Sequence, residues 1–488
     1  MYTVTLLPSG QQLSVAKPDN LLAVLRRGGI HPDAPCGGNG TCGKCRVVAD
    51  GAEVLACQTA VDKDMTVTVP QSSALHILQD GTDTPCAVHP EKDGSLLAFD
   101  IGTTSVVCFL LDGKTGMELA KGSILNPQTA FGADVISRLQ AALGSEPEQQ
   151  TTAIRTGMTA LIQTVCTAAS IDPNSIRTVS LVGNPAMQQL FLGICPENLA
   201  SVPFAPVLTE AKTVPCGEYL PICSNAELLI VPDISGYIGA DTMGCILSTG
   251  IYKSDAVTLL VDIGTNGEMV LGNKDRMVAC SAAAGPALEG ANIRFGMRGM
   301  DGAIDHVWLD KGNICCSVIG GGKAMGICGS GILDAIAVGL ESGLLNKRGR
   351  IQNEDRIIRL TDNIYLSQED IRQVQLAKGA IHAGILLMTK HLGISLGDIQ
   401  KVQLAGAFGS YLNPESACRI GLLPAELRSR IEAVGNAAGS GAKMLARDDR
   451  LLPLTQALQD RIEFLELASL PEFSLTFARS MLFQEEDL

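Results

Sequence analysis

The chain has 488 residues, of which 46% are hydrophobic and 4% aromatic, a balance that excludes a disordered protein and predicts large aliphatic cores. Its 37 Lys and Arg against 51 Asp and Glu give a net charge of −14, which argues against a protein that binds nucleic acids or anionic membranes. The N-terminus does not resemble a signal peptide, and no apolar run reaches the length of a membrane span. We therefore expect a soluble, cytoplasmic protein whose 16 cysteines are thiols or metal ligands.

The N-terminal segment, residues 1–72, predicts a small separate domain. MYTVTLLPSGQQLSVAK alternates around a Pro-Ser-Gly turn, as two paired strands do. NLLAVLRRGGI has apolar residues at helical spacing and ends in a glycine pair, which is a helix stop signal. After a glycine-rich loop, RVVADGAEVLACQT predicts a hairpin that turns at Asp50-Gly51.

Four cysteines of this segment are spaced as ligands of an iron–sulfur cluster. Cys36, Cys42 and Cys45 share the glycine-rich loop, and Cys57 lies on the adjacent hairpin strand. A [2Fe–2S] cluster needs four thiolates, two for each iron, and the loop glycines let backbone N–H groups approach its sulfurs. A structural zinc site is the alternative, but such sites usually use two short Cys-x2-Cys pairs. The loop resembles that of plant-type and adrenodoxin-type ferredoxins, with a shorter interval before Cys57.

Residues 73–94 follow this domain and carry no hydrophobic period. They are rich in Asp, Pro, Thr and Gly, a composition typical of loops. We expect a solvated linker, in which Cys86, His89 and Asp93 lack the partners that a metal site needs.

The rest of the chain contains the same pattern twice. SLLAFDIGTTSVVCFLLD at 95–112 and TLLVDIGTNGEMVLGN at 258–273 each read as an apolar strand, Asp-Ile-Gly-Thr and a second strand. Each predicts a hairpin whose turn offers Gly and Thr donors to a phosphate chain. The carboxylates Asp100 and Asp262, at the ends of the incoming strands, are expected to order Mg²⁺ and its waters. Because a cleft between two similar lobes needs one hairpin from each, the repeat predicts a two-lobed nucleotide-binding body.

Further segments fit a cleft of this kind, although ordinary close packing explains each of them equally well. Residues 233–242 and 436–442 open apolar helices with small residues, which permit the close crossing that a hinge requires. Residues 401–412 read as a strand followed by glycine-rich backbone, on which an adenosine could lie. A helix that begins at Gly329-Ser330-Gly331 could direct its free N–H groups at a phosphate or a ribose.

The order of these segments resembles that of the acetate and sugar kinases, Hsp70 chaperones and actin, the ASKHA superfamily. The resemblance implies an α/β protein with an N-terminal β-grasp ferredoxin-like [2Fe–2S] domain and a body of two ribonuclease-H-like lobes with ATP between them. The expected divisions are lobe I at 95–256, lobe II at 257–434 and a C-terminal helical segment at 435–488 that returns to lobe I.

Longer shared stretches point to one family. They are CGGNGTCGKCRV, DIGTTS, NPQTAFGADVISRL (126–139), DIGTNGE (262–268), ACSAAAGPALEGANI (279–293), GMRGMDGAID (296–305), GICGSGILDAI (326–336), DIRQVQLAKGAIHAGI (370–385) and LAGAFGSYLNP (404–414). The chain is similar here to the reductive activators of corrinoid enzymes. This resemblance implies ATP-dependent transfer of one electron from the cluster to inactive Co(II), giving Co(I), in a corrinoid protein of a methyltransferase system. A reduced ferredoxin or flavodoxin is the implied electron donor.

The hypothesis that follows gives roles to individual residues. The cluster ligands are Cys36, Cys42, Cys45 and Cys57. The phosphate contacts are Gly102, Thr103, Thr104, Gly264, Thr265 and Asn266, and the adenosine contacts are Gly406, Ala407 and Gly409. Asp100 and Asp262 order Mg²⁺. Glu268 is the candidate for orienting the attacking water, or is a structural strand residue, and Asn184 contacts the γ-phosphate, or forms a turn.

Two departures from the family pattern are expected to matter. The chain reads as a short form that lacks the family's middle domain, which the linker replaces. Where the family has Gly-Asn-Thr-Thr-Met followed by His, this chain has Gly183-Asn-Pro-Ala-Met-Gln-Gln189. Three other functions stay open on the sequence: a small-molecule kinase, an activator of a radical dehydratase with a [4Fe–4S] cluster between subunits, and an Hsp70-like or filament-forming ATPase.

Overall fold

A computed structural model of the chain describes residues 1–16, 18–28, 30, 32, 38, 40, 45–69, 78–81, 88–132, 134–144 and 146–483. Across these ranges, no helix combines the length and the apolar character that crossing a membrane requires.

The N-terminal domain is a five-stranded sheet with one helix against it. Its elements are β1 (Tyr2–Leu7), β2 (Gln12–Val15), β3 (Asp19–Asn20), α1 (Leu21–Arg27), β4 (Arg46–Ala49), β5 (Ala52–Leu55), β6 (Ala60–Val61) and β7 (Met65–Thr68). The sheet order is β2-β1-β7-β4-β5. Both predicted hairpins are present, and Asp50 and Gly51 have φ values of 49° and 83°, as a two-residue hairpin turn requires. The Asn20 side chain caps α1 by accepting the N–H of Ala23.

The first lobe follows the linker and contains a six-stranded sheet. Its elements are β8 (Ser95–Ile101), β9 (Ser105–Asp112), β10 (Glu118–Leu125), α2 (Val135–Gly144), α3 (Pro147–Ala169), β11 (Ile176–Gly183), α4 (Pro185–Leu192), α5 (Glu197–Ala200), β12 (Lys212–Pro215), β13 (Glu227–Ile230) and α6 (Ala240–Thr249). The strands are arranged β10-β9-β8-β11-β13-β12. Helices cover both faces, so the central strand β8 is apolar almost throughout and reaches the cleft at Asp100.

The second lobe contains another six-stranded sheet and most of the remaining helices. Its strands are β14 (Thr258–Ile263), β15 (Gly267–Gly272), β16 (Met277–Ala282), β17 (Ala303–Asp310), β18 (Asn313–Val318), β19 (Gly326–Ile327), β20 (Ile357–Arg359), β21 (Tyr365–Ser367), β22 (Lys401–Ala405), β23 (Ile431–Gly435) and β24 (Ile462–Phe464). The helices of this part of the chain are α7 (Gly329–Glu341), α8 (Gln368–Leu392), α9 (Gly406–Tyr411), α10 (Pro414–Arg419), α11 (Ala437–Arg447), α12 (Leu451–Gln459) and α13 (Phe473–Ser480). The sheet order is β23-β22-β14-β15-β16-β24.

The two lobes share one topology, as the repeated motif predicts. Each lobe begins with three consecutive antiparallel strands, of which the first two form the hairpin. Two later strands then extend the sheet in parallel from the free edge of the first strand. These are β8, β9, β10, β11 and β13 in the first lobe, and β14, β15, β16, β22 and β23 in the second. Because the incoming strand is central in both sheets, each hairpin turn lies at the same edge of its lobe.

Helices α6 and α11 cross between the lobes, and their backbones touch. A Cβ added at Gly441 would lie 2.2 Å from the carbonyl oxygen of Gly244, and one added at Gly244 would lie 2.9 Å from the carbonyl oxygen of Ala438. The side chains around this crossing belong to one core that takes residues from both sheets, including Leu96 and Leu260. The small residues predicted to form a hinge therefore do allow a close helix crossing.

The C-terminal segment differs from its prediction. Helix α11 packs on β8 and β11 of the first lobe, as expected for residues 435–488. However, β24 pairs in parallel with β16, and α13 packs on α8, so the later part of the segment belongs to the second lobe. The physical reason is the open edge of β16, because a strand there completes the backbone hydrogen bonds of the sheet.

The linker also differs from its prediction, because its described residues are fastened to the body. The backbone carbonyl of Asp80 accepts the N–H of Asn436 (2.9 Å) at the start of α11. The backbone N–H of His89 donates to the carbonyl of Arg447 (2.7 Å) at the end of α11. Lys92 reaches Thr178 Oγ1 at 2.7 Å. Both described parts of the linker are thus bonded to the ends of the helix at the lobe crossing.

Candidate nucleotide and iron–sulfur sites

The two Asp-Ile-Gly-Thr hairpins converge on one cavity of about 550 Å³ between the lobes, a volume typical of ligand sites. The predicted residues that line it are Asp100, Gly102, Thr103, Thr104, Asn184, Asp262, Gly264, Thr265, Asn266, Glu268, Gly329, Ser330 and Gly406. The structure therefore brings residues from both repeats, separated by more than a whole lobe in sequence, to a single place.

Two predicted contacts, Gly331 and Gly409, have other surroundings. Gly331 packs against β17, since a Cβ there would lie 2.4 Å from the carbonyl oxygen of Ile304. Gly409 of α9 packs against the preceding strand β22, because a Cβ added at Gly409 would lie 3.0 Å from the Cβ of Leu404. Neither lines the cavity, so close packing explains both glycines and a nucleotide contact is not supported. The side chain of Ala407 lies outside the described part of the chain.

The segment predicted to contact adenosine begins with the expected strand, β22, and its glycine-rich part forms the short helix α9 directly after that strand. Gly406 begins that helix with φ +80°, and a Cβ there would lie 2.6 Å from Asp262 Oδ1. The glycine is therefore needed to let the helix start against the carboxylate. Phe408 and Tyr411 of α9 line the cavity and offer it aromatic surface, which the glycine-based prediction missed.

Four carboxylates meet at the inner end of the cavity: Asp100, Asp241, Asp262 and Glu268. Burial is the main cause that raises the pKa of Asp100 and of Asp262 to about 7, and the charge of Asp241 raises both further. Burial raises the pKa of Asp241 to about 6, and burial followed by the charges of Asp241 and Asp262 holds that of Glu268 well above its usual range. A group of buried carboxylates without compensating cations is a site that attracts a metal ion.

These carboxylates fit Mg²⁺ held through water rather than in a direct cage. Within the described ranges, no three His, Cys, Asp or Glu side chains are close enough to ligate one ion together. Mg²⁺ usually keeps several waters and takes only one or two carboxylates beside the phosphates, so the arrangement suits it. Among the residues that the structure describes, Arg298 is the one Lys or Arg that lines the cavity, so a bound nucleotide would need the metal to offset the carboxylates.

Buried polar side chains hold the first hairpin in place. Asn184 donates to Thr103 Oγ1 (3.1 Å) while its Oδ1 accepts the Met187 N–H (3.0 Å), so it orients the hairpin and caps α4 together. Asn126 donates to the Gly102 carbonyl at 2.8 Å. Arg138, fully buried, donates to the Thr103 carbonyl, and burial lowers its pKa to about 9.

Sequence reasoning missed several of these groups, although signals were available for some of them. Asn126 and Arg138 lie in the stretch NPQTAFGADVISRL, and Asp241 lies in the predicted hinge segment. The hydrogen-bond partners of Asn126 and Arg138 are distant in sequence and are set by the fold. The shared sequence stretch therefore points to these residues without indicating their roles.

The cluster site is described in part. Cys45 is buried just before β4, and Cys57 lies in the turn after β5, with its N–H directed at the Cys45 sulfur at 3.4 Å. The hairpin thus brings the solitary fourth cysteine to the loop, and a backbone donor faces a ligand sulfur, which fits a thiolate-bound cluster. Cys36 and Cys42 lie outside the described residues, so their roles stay predictions.

Comparison with known proteins identifies the family. The chain is 36% identical over 442 residues to the corrinoid activation enzyme RamQ of Eubacterium limosum, an alignment that covers 84% of this chain and 74% of RamQ. The chain belongs to the RACo family. Family models for the C-terminal ASKHA domain of RACo, the RACo middle region and the 2Fe-2S iron-sulfur cluster binding domain match residues 256–488, 96–254 and 4–68.

Two further proteins extend the comparison. The Co(II) methylated amine-specific corrinoid protein reductase of Methanosarcina barkeri is 29% identical over 392 residues, which are 73% of this chain and 70% of that protein. The structure of a reductive activator for corrinoid, iron-sulfur protein has a TM-score of 0.71 and 27% identity, and covers 99% of this chain and 98% of its own. The predicted family and fold are confirmed, and membership in the RACo family decides against the kinase, dehydratase-activator and chaperone alternatives.

One prediction about the RACo family is wrong. The chain is not a short form without the middle domain, since the RACo middle region matches residues 96–254. That region is the first lobe itself. The middle region is not a separate insertion between the N-terminal domain and the body, because it forms one wall of the cleft.

Proposed function

We propose that this protein uses ATP to pass one electron from its [2Fe–2S] domain to Co(II) in a corrinoid protein, returning the cobalt to Co(I). The reduced donor that supplies the electron is a ferredoxin or a flavodoxin. The corrinoid protein belongs to a methyltransferase system, and the reaction takes place in the cytoplasm. Buried cysteines of the two lobes, such as Cys108, Cys216 and Cys280, are thiols, which supports a reducing compartment.

The need for ATP follows from redox potentials. Plant-type [2Fe–2S] clusters have reduction potentials of about −400 mV. Each increment of about 59 mV by which the acceptor's potential lies below that of the cluster lowers the equilibrium constant of a one-electron transfer tenfold. A cluster alone therefore leaves most of a lower-potential Co(II) unreduced. ATP can shift the yield only by binding more tightly to one state of the complex than to another.

Residues of the chain supply the two halves of this process. Cys45 and Cys57, with Cys36 and Cys42, would hold the cluster, which supplies one-electron transfer. Asp100 and Asp262 would order Mg²⁺, which offsets the phosphate charges. The turns of the two hairpins bind the phosphates, and Asn184 keeps the Thr103 hydroxyl oriented toward them. Phe408 and Tyr411 face the part of the cavity left for the nucleoside.

The observation that carries the proposal is the attachment of the N-terminal domain to the nucleotide cleft. The backbone carbonyl of Asp80 in the linker accepts the N–H of Asn436. Asn436 lies directly at the start of α11, the helix that crosses between the lobes. In addition, Arg26 of α1 donates a hydrogen bond to the carbonyl of Ala130 at 3.0 Å. Ala130 comes four residues after Asn126, whose side chain holds the first hairpin. A change in lobe closure is therefore transmitted to the domain that carries the electron.

The test is anaerobic visible spectroscopy of a corrinoid protein in the Co(II) state. A chemical reductant and catalytic amounts of this protein are added with and without Mg-ATP, and iron content is measured to verify an intact cluster. We expect Co(I) to form only with Mg-ATP. Co(I) formation that does not depend on ATP, or a phosphorylated small molecule as the product, would contradict the proposal.

A further inference from the structure

Glu289 lies where the two phosphate hairpins meet. It ends the short turn Pro286–Glu289, and Gly290 follows with φ +79°, so the carboxylate is presented at a fixed bend. Its Oε2 accepts the hydroxyl of Thr265 at 3.3 Å. Its Oε1 lies 3.9 Å from the position that a Cβ on Gly264 would take. The side chain of Thr104 in the first lobe is near enough to lower the pKa of the carboxyl. The carboxylate is thus bonded to the hairpin of the second lobe and lies near that of the first.

The charges around Glu289 suit a carboxylate beside phosphates. Burial raises its pKa, whereas the nearby guanidinium groups of Arg298 and Arg138 and the side chains of Thr265 and Thr104 lower it. Glu289 and Arg298 both line the cavity. The carboxylate is therefore held beside the predicted phosphate contacts without adding an uncompensated charge.

Glu268, the sequence-based candidate for the same task, has different surroundings. It pairs across the hairpin with Asp262, and the nearby Asn266 side chain lowers its pKa against the burial that raises it. It also faces the charge of Asp241, so it belongs to the carboxylate group that is expected to attract Mg²⁺. A water placed there would lie on the metal side of the phosphate chain, whereas Glu289 faces the two threonine hydroxyls.

We propose that Glu289 is the catalytic residue that orients the attacking water and takes its proton during ATP hydrolysis. The water oxygen forms a bond to the γ-phosphorus, the bond from that phosphorus to the β,γ-bridging oxygen breaks, and ADP leaves with the electron pair. The water proton goes to Glu289 and then to solvent, so the products are ADP, phosphate and one proton. This inference rests on the proposed function, since it requires ATP in the cleft.

The experiment compares Glu289→Gln with wild type in the full-length, cluster-loaded protein. Gln keeps the size and hydrogen-bonding reach of the side chain but does not take a proton. We expect kcat for ATP hydrolysis to fall at least about 100-fold. The Kd for a non-hydrolysable ATP analogue should change by no more than about threefold, because the phosphate contacts remain. Glu472→Gln is the matched control, since Glu472 pairs with Lys390 on the surface and should leave hydrolysis unchanged.

A second variant separates chemistry from structure. Glu289→Ala removes the carboxylate, and added formate should restore part of its hydrolysis if the missing group accepts a proton. A Glu289→Gln variant that binds the analogue and hydrolyses ATP within about threefold of wild type would overturn the inference. So would an inactive Ala variant that formate does not restore. If wild type itself neither binds nor hydrolyses ATP, the proposed function fails instead.

Discussion

Asn436 Nδ2 donates a hydrogen bond to Asp100 Oδ2 at 3.0 Å, and the Oδ1 of the same side chain accepts the Gly439 N–H at 2.6 Å. One amide therefore joins Asp100 of the first lobe, the carboxylate proposed to order Mg²⁺, to the start of α11. The hydrogen bond also lowers the pKa of Asp100, against the burial that raises it. Asn436 thus keeps part of the carboxylate charge available for the metal.

Replacing Asn436 by Ala is expected to have two effects. The loss of the helix cap should lower the free energy of unfolding by about 1 kcal/mol. The loss of the hydrogen bond to Asp100 should raise that carboxyl's pKa further and weaken Mg-ATP binding near neutral pH. Urea unfolding and titration with the ATP analogue at several Mg²⁺ concentrations measure the two effects.

The matched control for this change is Asn413→Ala. Asn413 caps α10 by accepting the Glu415 N–H at 2.9 Å and does not line the cavity. It should reproduce the loss of stability with unchanged Mg-ATP affinity. Equal affinity losses in the two variants would show that Asn436 acts through stability alone.

The raised carboxyl pKa values predict how stability depends on pH. Asp100 and Asp262 have pKa values of about 7 in the folded protein, against about 4 in an unfolded chain. Between these values the folded state binds more protons, so these groups make the free energy of unfolding fall as the pH rises through the window. Mg²⁺ with ATP should counteract this fall, because the metal favours the ionised carboxylates.

Urea unfolding at about pH 6 and pH 7.5, with EDTA or with Mg-ATP, measures this effect. The variant Asp100→Asn should show a smaller pH dependence than wild type in EDTA. A pH dependence in wild type that is the same with and without Mg-ATP would contradict a metal role for these carboxylates.

Asp100→Ala tests whether the two cofactor sites act separately. We expect it to abolish ATP-dependent reduction of Co(II) while the visible spectrum of the cluster stays intact, because Asp100 lies in the cleft and Cys45 and Cys57 lie in the N-terminal domain. The reciprocal variant Cys57→Ser should lower the iron content and keep binding of the ATP analogue. Loss of both properties, or of neither, in Asp100→Ala would contradict separate roles.

The close crossing of α6 and α11 predicts that adding a single methyl group there lowers the free energy of unfolding. In Gly441→Ala the new Cβ would meet the Gly244 backbone, which has no flexible side chain to move aside. We expect the free energy of unfolding to fall by about 1–3 kcal/mol, measured by urea unfolding. Gly144→Ala in α2 is the control, because nothing lies within 4 Å of its added Cβ and it should be tolerated. Equal stability of the two variants would contradict a tight crossing.

Local patterns were sufficient to predict much of the site. The hairpins around Asp100 and Asp262 are visible in sequence because an apolar strand, a turn and a second strand are contiguous. Features made by backbone pairing were not visible. Gly81 forms a β-bridge with Gly435, and the three residues of β24 are too few to show an alternating pattern. The role proposed for Glu289 depends on Thr104, a contact that only the folded chain creates.

The crossing of α6 and α11 is the intramolecular counterpart of a twofold dimer interface. Each helix follows the fifth strand of its repeat, and Gly244 and Gly441 are each the fifth residue of their helices. Ala438 and Asp241 are likewise each the second residue, and both line the cavity. An isologous contact places the same positions of two copies against each other, as occurs here within one chain. The crossing lies beside the cleft, and each lobe presents its Asp-Ile-Gly-Thr hairpin to the same cavity.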